Sequence, residues 1–457
     1  MTASNSEVDA EVDVVVIGQG PGGEHVAAKL AQGGLDVVAV ESRLVGGECP
    51  YYGCVPSKMM LAAAEALDEG RRVNGFAGAA EVYPDWKPVA ERIRDEATDD
   101  WDDTVAVKRL EDAGVTFARG HGRLAGERRV EVGGTTYAAR RGVVLNPGTD
   151  PAVPPIEGLA DTPYWTNRDV VRLTELPGSM LTIGGGAIGV ELAQALHAFG
   201  VDVTILEMAP RLLPPEEPEA GVALEKALSA AGIRIHTGVS IGSVAYADGT
   251  FTVDLGDQTV TGDKLLVAAG RRPLLSDLGL DTVGLDPGSR SLDTDERMRV
   301  AKGLWAIGDV TGKGAFTHMS MYQAAVAVRD ILGQDGPPAD YRAVPRVTFT
   351  HPEVASVGLS ETQAREQGLD VRTSLVEDLG ARGWIAKQEG LVKLVVDRER
   401  ELLVGATVVG HAAGEILSML ALAVHAEVRV PTLRSMNYAY PTLHRTIESA
   451  VGGLDLS

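Results

Sequence analysis

Cysteine is almost missing from this chain: 457 residues contain two, Cys49 and Cys54. A protein that discards thiols elsewhere and keeps a pair separated by four residues uses them together rather than packing them singly. Positive charge is also scarce, with 42 Lys and Arg against 64 Asp and Glu and a formal net charge of −22. That balance argues against nucleic acid or an anionic membrane surface as a partner held by bulk electrostatics. No apolar run is long enough to span a bilayer, so no membrane partner is expected. The first ten residues are polar and acidic and lack the basic and apolar regions of a secretory signal. A cytoplasmic address follows, and in a reducing compartment a lone cysteine pair is catalytic rather than structural.

The residues that are present surround the pair with a pattern. Gly46-Gly47-Glu48-Cys49-Pro50-Tyr51-Tyr52-Gly53-Cys54-Val55-Pro56-Ser57-Lys58 leads into a run of strong helix formers, so Cys54 falls at or near a helix N-terminus, where a thiolate is stabilised. In a regular helix, Cα atoms five residues apart stand about 8 to 9 Å from each other, beyond the roughly 7 Å limit for a disulfide. A bridge therefore requires distorted backbone, which Pro50 and Gly53 favour. Redox cycling is the functional reading; two inert thiols, a static staple and half a metal site are the others. With no further cysteine and no nearby histidine, no metal site is expected.

Length suggests about three domains, and 44% hydrophobic residues suffice for sizeable cores. Residues 12–17 read as a buried strand that runs into Gly18, Gly20 and Gly23 and then a helix, with a second strand ending in Glu41. Strand, glycine turn, helix and a distal acid are the parts of a dinucleotide site: the turn admits a pyrophosphate and the acid takes ribose hydroxyls. The pattern repeats, with a strand at 180–183, Gly184, Gly186 and Gly189, a helix from Val190, and a strand ending in Glu207. Two such units imply two dinucleotides. Glu207 suits a ribose diol and repels a 2′-phosphate, which favours NADH, while Arg211 four residues on keeps NADPH open. Pro151, Pro154 and Pro155 read as a linker.

The 46–58 segment closely resembles the active-site signature of the class I pyridine nucleotide-disulfide oxidoreductases, the family of dihydrolipoamide dehydrogenase and mercuric reductase. Its inner Pro-Tyr-Tyr-Gly departs from the usual residues. The resemblance covers nearly the whole chain. It implies an α/β fold of two doubly wound dinucleotide-binding domains, for FAD and NAD(P), with a C-terminal α+β dimerisation domain. The boundaries implied are 1–152 and 274–340 for the FAD-binding domain, 153–273 for the NAD(P)-binding domain and 341–457 for the interface domain. It also implies a homodimer.

Residue by residue, the resemblance makes Cys54 the flavin-proximal thiol and Cys49 the interchange thiol, and pairs Lys58 with Glu191 beside flavin and nicotinamide. Gly148 and Gly270 stand at the ends of the two nucleotide domains, Asp309 where the family bonds the flavin ribityl chain, and His318 near the flavin. The activity implied passes electrons from NAD(P)H through FAD to the Cys49–Cys54 pair and on to a small-molecule disulfide, or oxidises a dithiol in reverse. Where the family carries a catalytic His, followed five residues later by Glu, this chain has Tyr440 and Arg445. Mercuric reductase similarly places Tyr there. An unperturbed tyrosine is a poor base at neutral pH; His444 and Arg445 are the candidates to restore proton handling from a shifted position, and His444 reads equally as a surface residue. The same substitutions support a rival in which the acceptor is a quinone or metal ion. A non-catalytic flavin-binding protein is the third reading, opposed by the retention of both cysteines, Lys58 and Glu191.

Overall fold

The computed structural model describes residues 8–456; the first seven residues, on which most of the argument against a secretory signal rests, lie outside them. The chain divides into two compact units. One holds the chain up to Pro56 with Ala90–Ala152 and Arg271–Asp340, and the other holds Ser57–Val89, Val153–Gly270 and the chain from Tyr341 onward.

The first unit is built on a sheet whose strands lie in the order Arg299–Ala301, Leu304–Ala306, Thr135–Leu145, Ala10–Ile17, Val37–Glu41 and Thr116–Arg119. The last five run parallel, in a register that sets Val15 beside Val38 and Val143. Val14, Val15 and Val16 are all fully buried. A parallel strand covered on both faces needs no polar alternation, which is why the segment is continuously apolar. Helix Pro21–Gln32 packs on helix Thr317–Leu332, and the approach is so close that a Cβ on Gly22 would lie 2.1 Å from Ser320 Oγ.

The second unit repeats the first arrangement on a smaller scale. Arg234–Thr237, Asp202–Glu207, Ser179–Ile183 and Lys264–Val267 form a parallel sheet in that order, the same sequence of connections as 116–119, 37–41, 10–17 and 135–145. Beyond Tyr341 comes a five-stranded antiparallel sheet, ordered Pro345–Thr348, Glu353–Gly358, Leu402–Gly410, Leu391–Asp397 and Val371–Val376. Helices Ala413–His425 and His444–Gly452 close over it, burying Leu394, Val408, Leu417, Leu420, Ile447 and Val451 in one cluster. Within this unit Lys393, 4% exposed, meets three carboxylates at once: Glu217 at 3.0 Å, Glu219 at 2.8 Å and Glu361 at 3.0 Å. None of the helices among the described residues is long and apolar enough to cross a membrane.

Two boundaries differ from the sequence reading. Each nucleotide-turn helix begins earlier than expected, at Pro21 and at Ala187, so Gly23 and Gly189 sit inside the first helical turn rather than before it. Proline at the first helical position costs nothing because its missing N–H would have no intrahelical partner. Pro151 is not linker: Thr149–Pro151 pairs with Arg271–Pro273 as a two-stranded ribbon.

Candidate functional site

The cysteine segment is shaped by its glycines. Gly46 and Gly47 have φ of +110° and +66°, backbone that side chains resist. The Gly46 N–H donates to the Gln19 carbonyl at 2.7 Å, and a Cβ on Gly47 would lie 2.9 Å from Gly20 Cα. The segment is thus pressed against the first glycine turn. A short helix, Glu48–Tyr51, then breaks at Tyr52 (φ −136°, ψ −6°) and restarts as helix Cys54–Arg72. The backbone therefore leaves regular helical geometry between Cys49 and Cys54.

Cys49 is half-buried and Cys54 exposed. Cys54 Sγ lies 3.3 Å from Thr317 Oγ1, and each of these residues is the first of its helix. Two helix N-termini therefore converge on one sulfur, which favours the thiolate. His318 follows Thr317 and is exposed, its ring stacked on Phe316 at 5.1 Å and 12°. The departure at Tyr51 has a structural role: its ring is 5% exposed, its carbonyl takes the Trp101 indole N–H at 3.0 Å, and burial, with Asp103 and Glu24 nearby, pushes its phenol up to about 12.

The two glycine turns are near copies of each other. A Cβ on Gly18 would lie 2.1 Å from the Asn146 carbonyl oxygen, and one on Gly184 would lie 2.4 Å from that of Ala268. A Cβ on Gly23 or Gly189 would lie 2.0 Å from the carbonyl oxygen of Gly18 or Gly184. These four glycines are small because protein backbone fills the space. Gly148, Gly186 and Gly270 have nothing within 4 Å of the corresponding position, and Gly20 has only Asn146 Nδ2 at 3.5 Å. Gly20 and Gly186 are the caps of helices Pro21–Gln32 and Ala187–Ala198, and neither helix start is capped by a side chain. Open space before uncapped N–H groups is a cradle for an anionic phosphate, so the residues present fit a dinucleotide at each turn.

The acids at the strand ends are duplicated as well. Glu41 accepts the Gln19 N–H at 2.8 Å and the Arg43 N–H at 2.8 Å. Glu207 accepts the Gly185 N–H at 2.5 Å and the Ala209 N–H at 2.6 Å. Each carboxylate so holds its own glycine turn in shape. Arg211 turns its guanidinium onto the carbonyls of Pro214 (2.7 Å) and Glu216 (3.1 Å). In the first unit, Asp309 Oδ2 accepts the Thr149 hydroxyl at 2.7 Å, and Arg271 donates to Thr149 Oγ1 at 2.6 Å. Asn146 is buried between Gly18, whose carbonyl it meets at 3.2 Å, and Ser320 at 3.3 Å.

The second unit brings Lys58 and Glu191 together at 2.7 Å, with Glu191 buried. The other Glu191 oxygen accepts the Phe349 N–H at 2.8 Å, and the Lys58 ammonium stands 4.7 Å from the centre of the Phe349 ring. One helical turn after Glu191, Gln194 accepts the His351 N–H and donates to the His351 carbonyl, both at 2.7 Å. Tyr440 is 72% exposed, His444 begins the helix His444–Gly452, and Arg445 pairs with Glu448 one turn along. Thr317, Phe349, Thr149 and Arg271 were not singled out from the sequence. Each is an ordinary residue whose importance arises from a contact more than 100 positions away along the chain.

Residues 12–330 match the pyridine nucleotide-disulphide oxidoreductase family, and residues 344–451 match the dimerisation domain of that name. The dihydrolipoyl dehydrogenase of Chlorobaculum tepidum is 34% identical over 454 residues, 96% of each chain. The mercuric reductase of Staphylococcus aureus is 30% identical across 97% of this chain and 82% of its own. The structure of the Cu(II) complex of the HOCl-induced flavoprotein disulfide reductase RclA from Escherichia coli has a TM-score of 0.85 at 25% identity, covering 97% of this chain and 99% of that one. With the two glycine turns, the segment at 46–58 and matches that extend along the chain, the protein belongs to the pyridine nucleotide-disulphide oxidoreductase family of FAD-dependent enzymes.

Proposed function

We propose that the chain is a cytoplasmic, homodimeric reductase that takes electrons from NADH, passes them to the Cys49–Cys54 pair and delivers them to a small-molecule disulfide, or runs the same step in reverse on a dithiol. FAD, when bound, supplies the two-electron relay between a nicotinamide hydride and a disulfide. In this reading residues 1–152 and 274–340 hold FAD, 153–273 hold the nicotinamide nucleotide, and 341–457 form the dimer interface. Gly18, Gly20 and Gly23 with Glu41 bind the first dinucleotide, and Gly184, Gly186 and Gly189 with Glu207 the second, while Gly148, Asp309, His318 and Gly270 complete the two sites.

The observation that carries the reading is the position of Cys54, first residue of one helix and 3.3 Å from the first residue of another. Cys54 holds negative charge there while Cys49, on the other side of the helix break, attacks or is attacked. Lys58 and Glu191 form an ion pair at 2.7 Å, with the Phe349 ring beside the ammonium. NADH preference rests on Glu207 and on Arg211 being bonded to its own loop. Tyr440 donates its O–H to the acceptor.

One observation favours a second acceptor class. Arg445 pairs with Glu448 of its own helix and leaves Tyr440 without the acid that partners the family's histidine, which suits a quinone or metal ion needing no general base. The deciding experiment is anaerobic reduction of the flavin-loaded enzyme with NADH. Two newly titratable thiols and a long-wavelength absorbance are the result of a disulfide relay. Reduction without thiol release overturns it, and an acceptor screen of disulfides, quinones and metal ions then ranks the alternatives.

A further inference from the structure

Glu65, His351 and His411, from segments nearly 350 residues apart in the chain, each bring a ligand atom to within 4.8 Å of the other two. His411 Nδ1 stands 3.5 Å from Glu65 Oε1, and the rings of His351 and His411 meet edge to face with centroids 5.9 Å apart. A tetrahedral ion with bonds near 2.0–2.2 Å spaces its ligand atoms about 3.3–3.5 Å apart. Glu65 and His411 already have that spacing. All three side chains are partly exposed, so rotation of the His351 ring can close the remaining gap.

We propose that Glu65, His351 and His411 bind one divalent transition-metal ion of the Zn²⁺ class, leaving its remaining positions to water. Two imidazoles and one carboxylate select Zn²⁺, Co²⁺, Ni²⁺ or Cu²⁺ over Mg²⁺ and Ca²⁺, which require oxygen ligands. Glu353, which accepts the Gly414 N–H at 2.9 Å, lies near His411 and Glu65. The net charge of −22 raises the cation concentration at the surface.

The ion joins elements that the Lys58 cluster also joins. Glu65 is seven residues from Lys58 on one helix, hence on the same face two turns away. His351 follows Phe349 by two residues, and Gln194, which grips the His351 backbone, follows Glu191 by one turn. A bound ion therefore clamps helix Cys54–Arg72 to the 349–351 segment and positions Lys58 against Glu191. The site stands on side-chain geometry alone and does not depend on the identity of the electron acceptor.

The test is a calorimetric Zn²⁺ titration of flavin-loaded protein with Cys49 and Cys54 both changed to Ser, or of wild type with alkylated thiols if that variant loses flavin. One Zn²⁺ per chain is expected, with millimolar Mg²⁺ unable to displace it. Glu65→Gln and His411→Gln should each weaken binding at least tenfold, and the rise in Tm caused by Zn²⁺ should vanish in both while their metal-free Tm matches the parent. Wild-type affinity in both variants, displacement by Mg²⁺, or no uptake below about 1 mM Zn²⁺ would overturn the site.

Discussion

Glu191 divides its carboxylate between Lys58 and the Phe349 N–H, at 2.7 and 2.8 Å, from a residue 5% exposed. Glu191→Gln retains acceptor and shape but removes the charge, so it should slow flavin reduction by NADH tenfold or more in rapid mixing with little change in stability. Glu191→Ala should add a loss of about 1 kcal/mol, because the Phe349 N–H then loses its acceptor. Equal Tm values for the two variants would show that the backbone bond carries no weight.

The closed and open glycines should separate folding from binding. Gly184→Ala forces a Cβ to within 2.4 Å of the Ala268 carbonyl oxygen at φ +112°, and should cost about 3 kcal/mol or more in denaturant unfolding. Gly186→Ala has φ −76° and empty surroundings, and should fold normally yet raise the KM for the nicotinamide nucleotide. A Gly186→Ala enzyme with wild-type KM would remove the phosphate from that cradle.

NADH should give the larger kcat/KM, and Glu207→Arg should shift preference toward NADPH by about tenfold or more, the worth of one or a few kcal/mol. Because Glu207 also accepts the Gly185 and Ala209 N–H groups, the variant should be slower with both nucleotides than wild type is with NADH. Wild-type preference for NADPH would contradict the assignment.

Tyr440→Phe should leave stability within about 0.5 kcal/mol, since the ring is 72% exposed. Its turnover with the physiological acceptor should fall at least tenfold while flavin reduction by NADH stays at the wild-type rate. Unchanged turnover on every accepted substrate would point to electron transfer that needs no proton donor.

Lys393 should behave as a buried hub. Burial alone depresses a lysine, but hydrogen bonds to Glu219, Glu217 and Glu361 outweigh it and hold the ammonium above the ordinary value. A raised lysine contributes stability that is complete below about pH 10.4 and is lost as pH rises through the folded value. Lys393→Met should cost about 3–5 kcal/mol at neutral pH, because it leaves Glu217 buried without a counter-charge. The deficit should shrink as pH falls into the carboxylate range. A pH-independent deficit would mean lost packing instead.

The sequence displayed the backbone program of the fold better than its side-chain contacts. Continuous apolar strands, the spacing of Gly18 to Glu41 and of Gly184 to Glu207, and helix formers after Cys54 are local signals, and the elements they announce are present. The helix starts at Pro21 and Ala187 were misplaced because glycines that read as turn are buried in the first helical turn, where small size matters more than propensity. Pro151 read as linker because its partner strand, Arg271–Pro273, lies 120 residues away. Contacts such as Thr317 with Cys54, and Glu65 with His351 and His411, arise only when distant segments meet, so no window on the sequence contains them.

The carboxylate of Glu207 braces the turn with the same two oxygens that would meet a ribose. Recognition and architecture at this position are therefore inherited as one trait. A lineage changing its nucleotide would lose both with a first substitution at 207, so a viable path begins at a neighbouring residue that gives the Gly185 N–H another acceptor, and reaches Glu207 last.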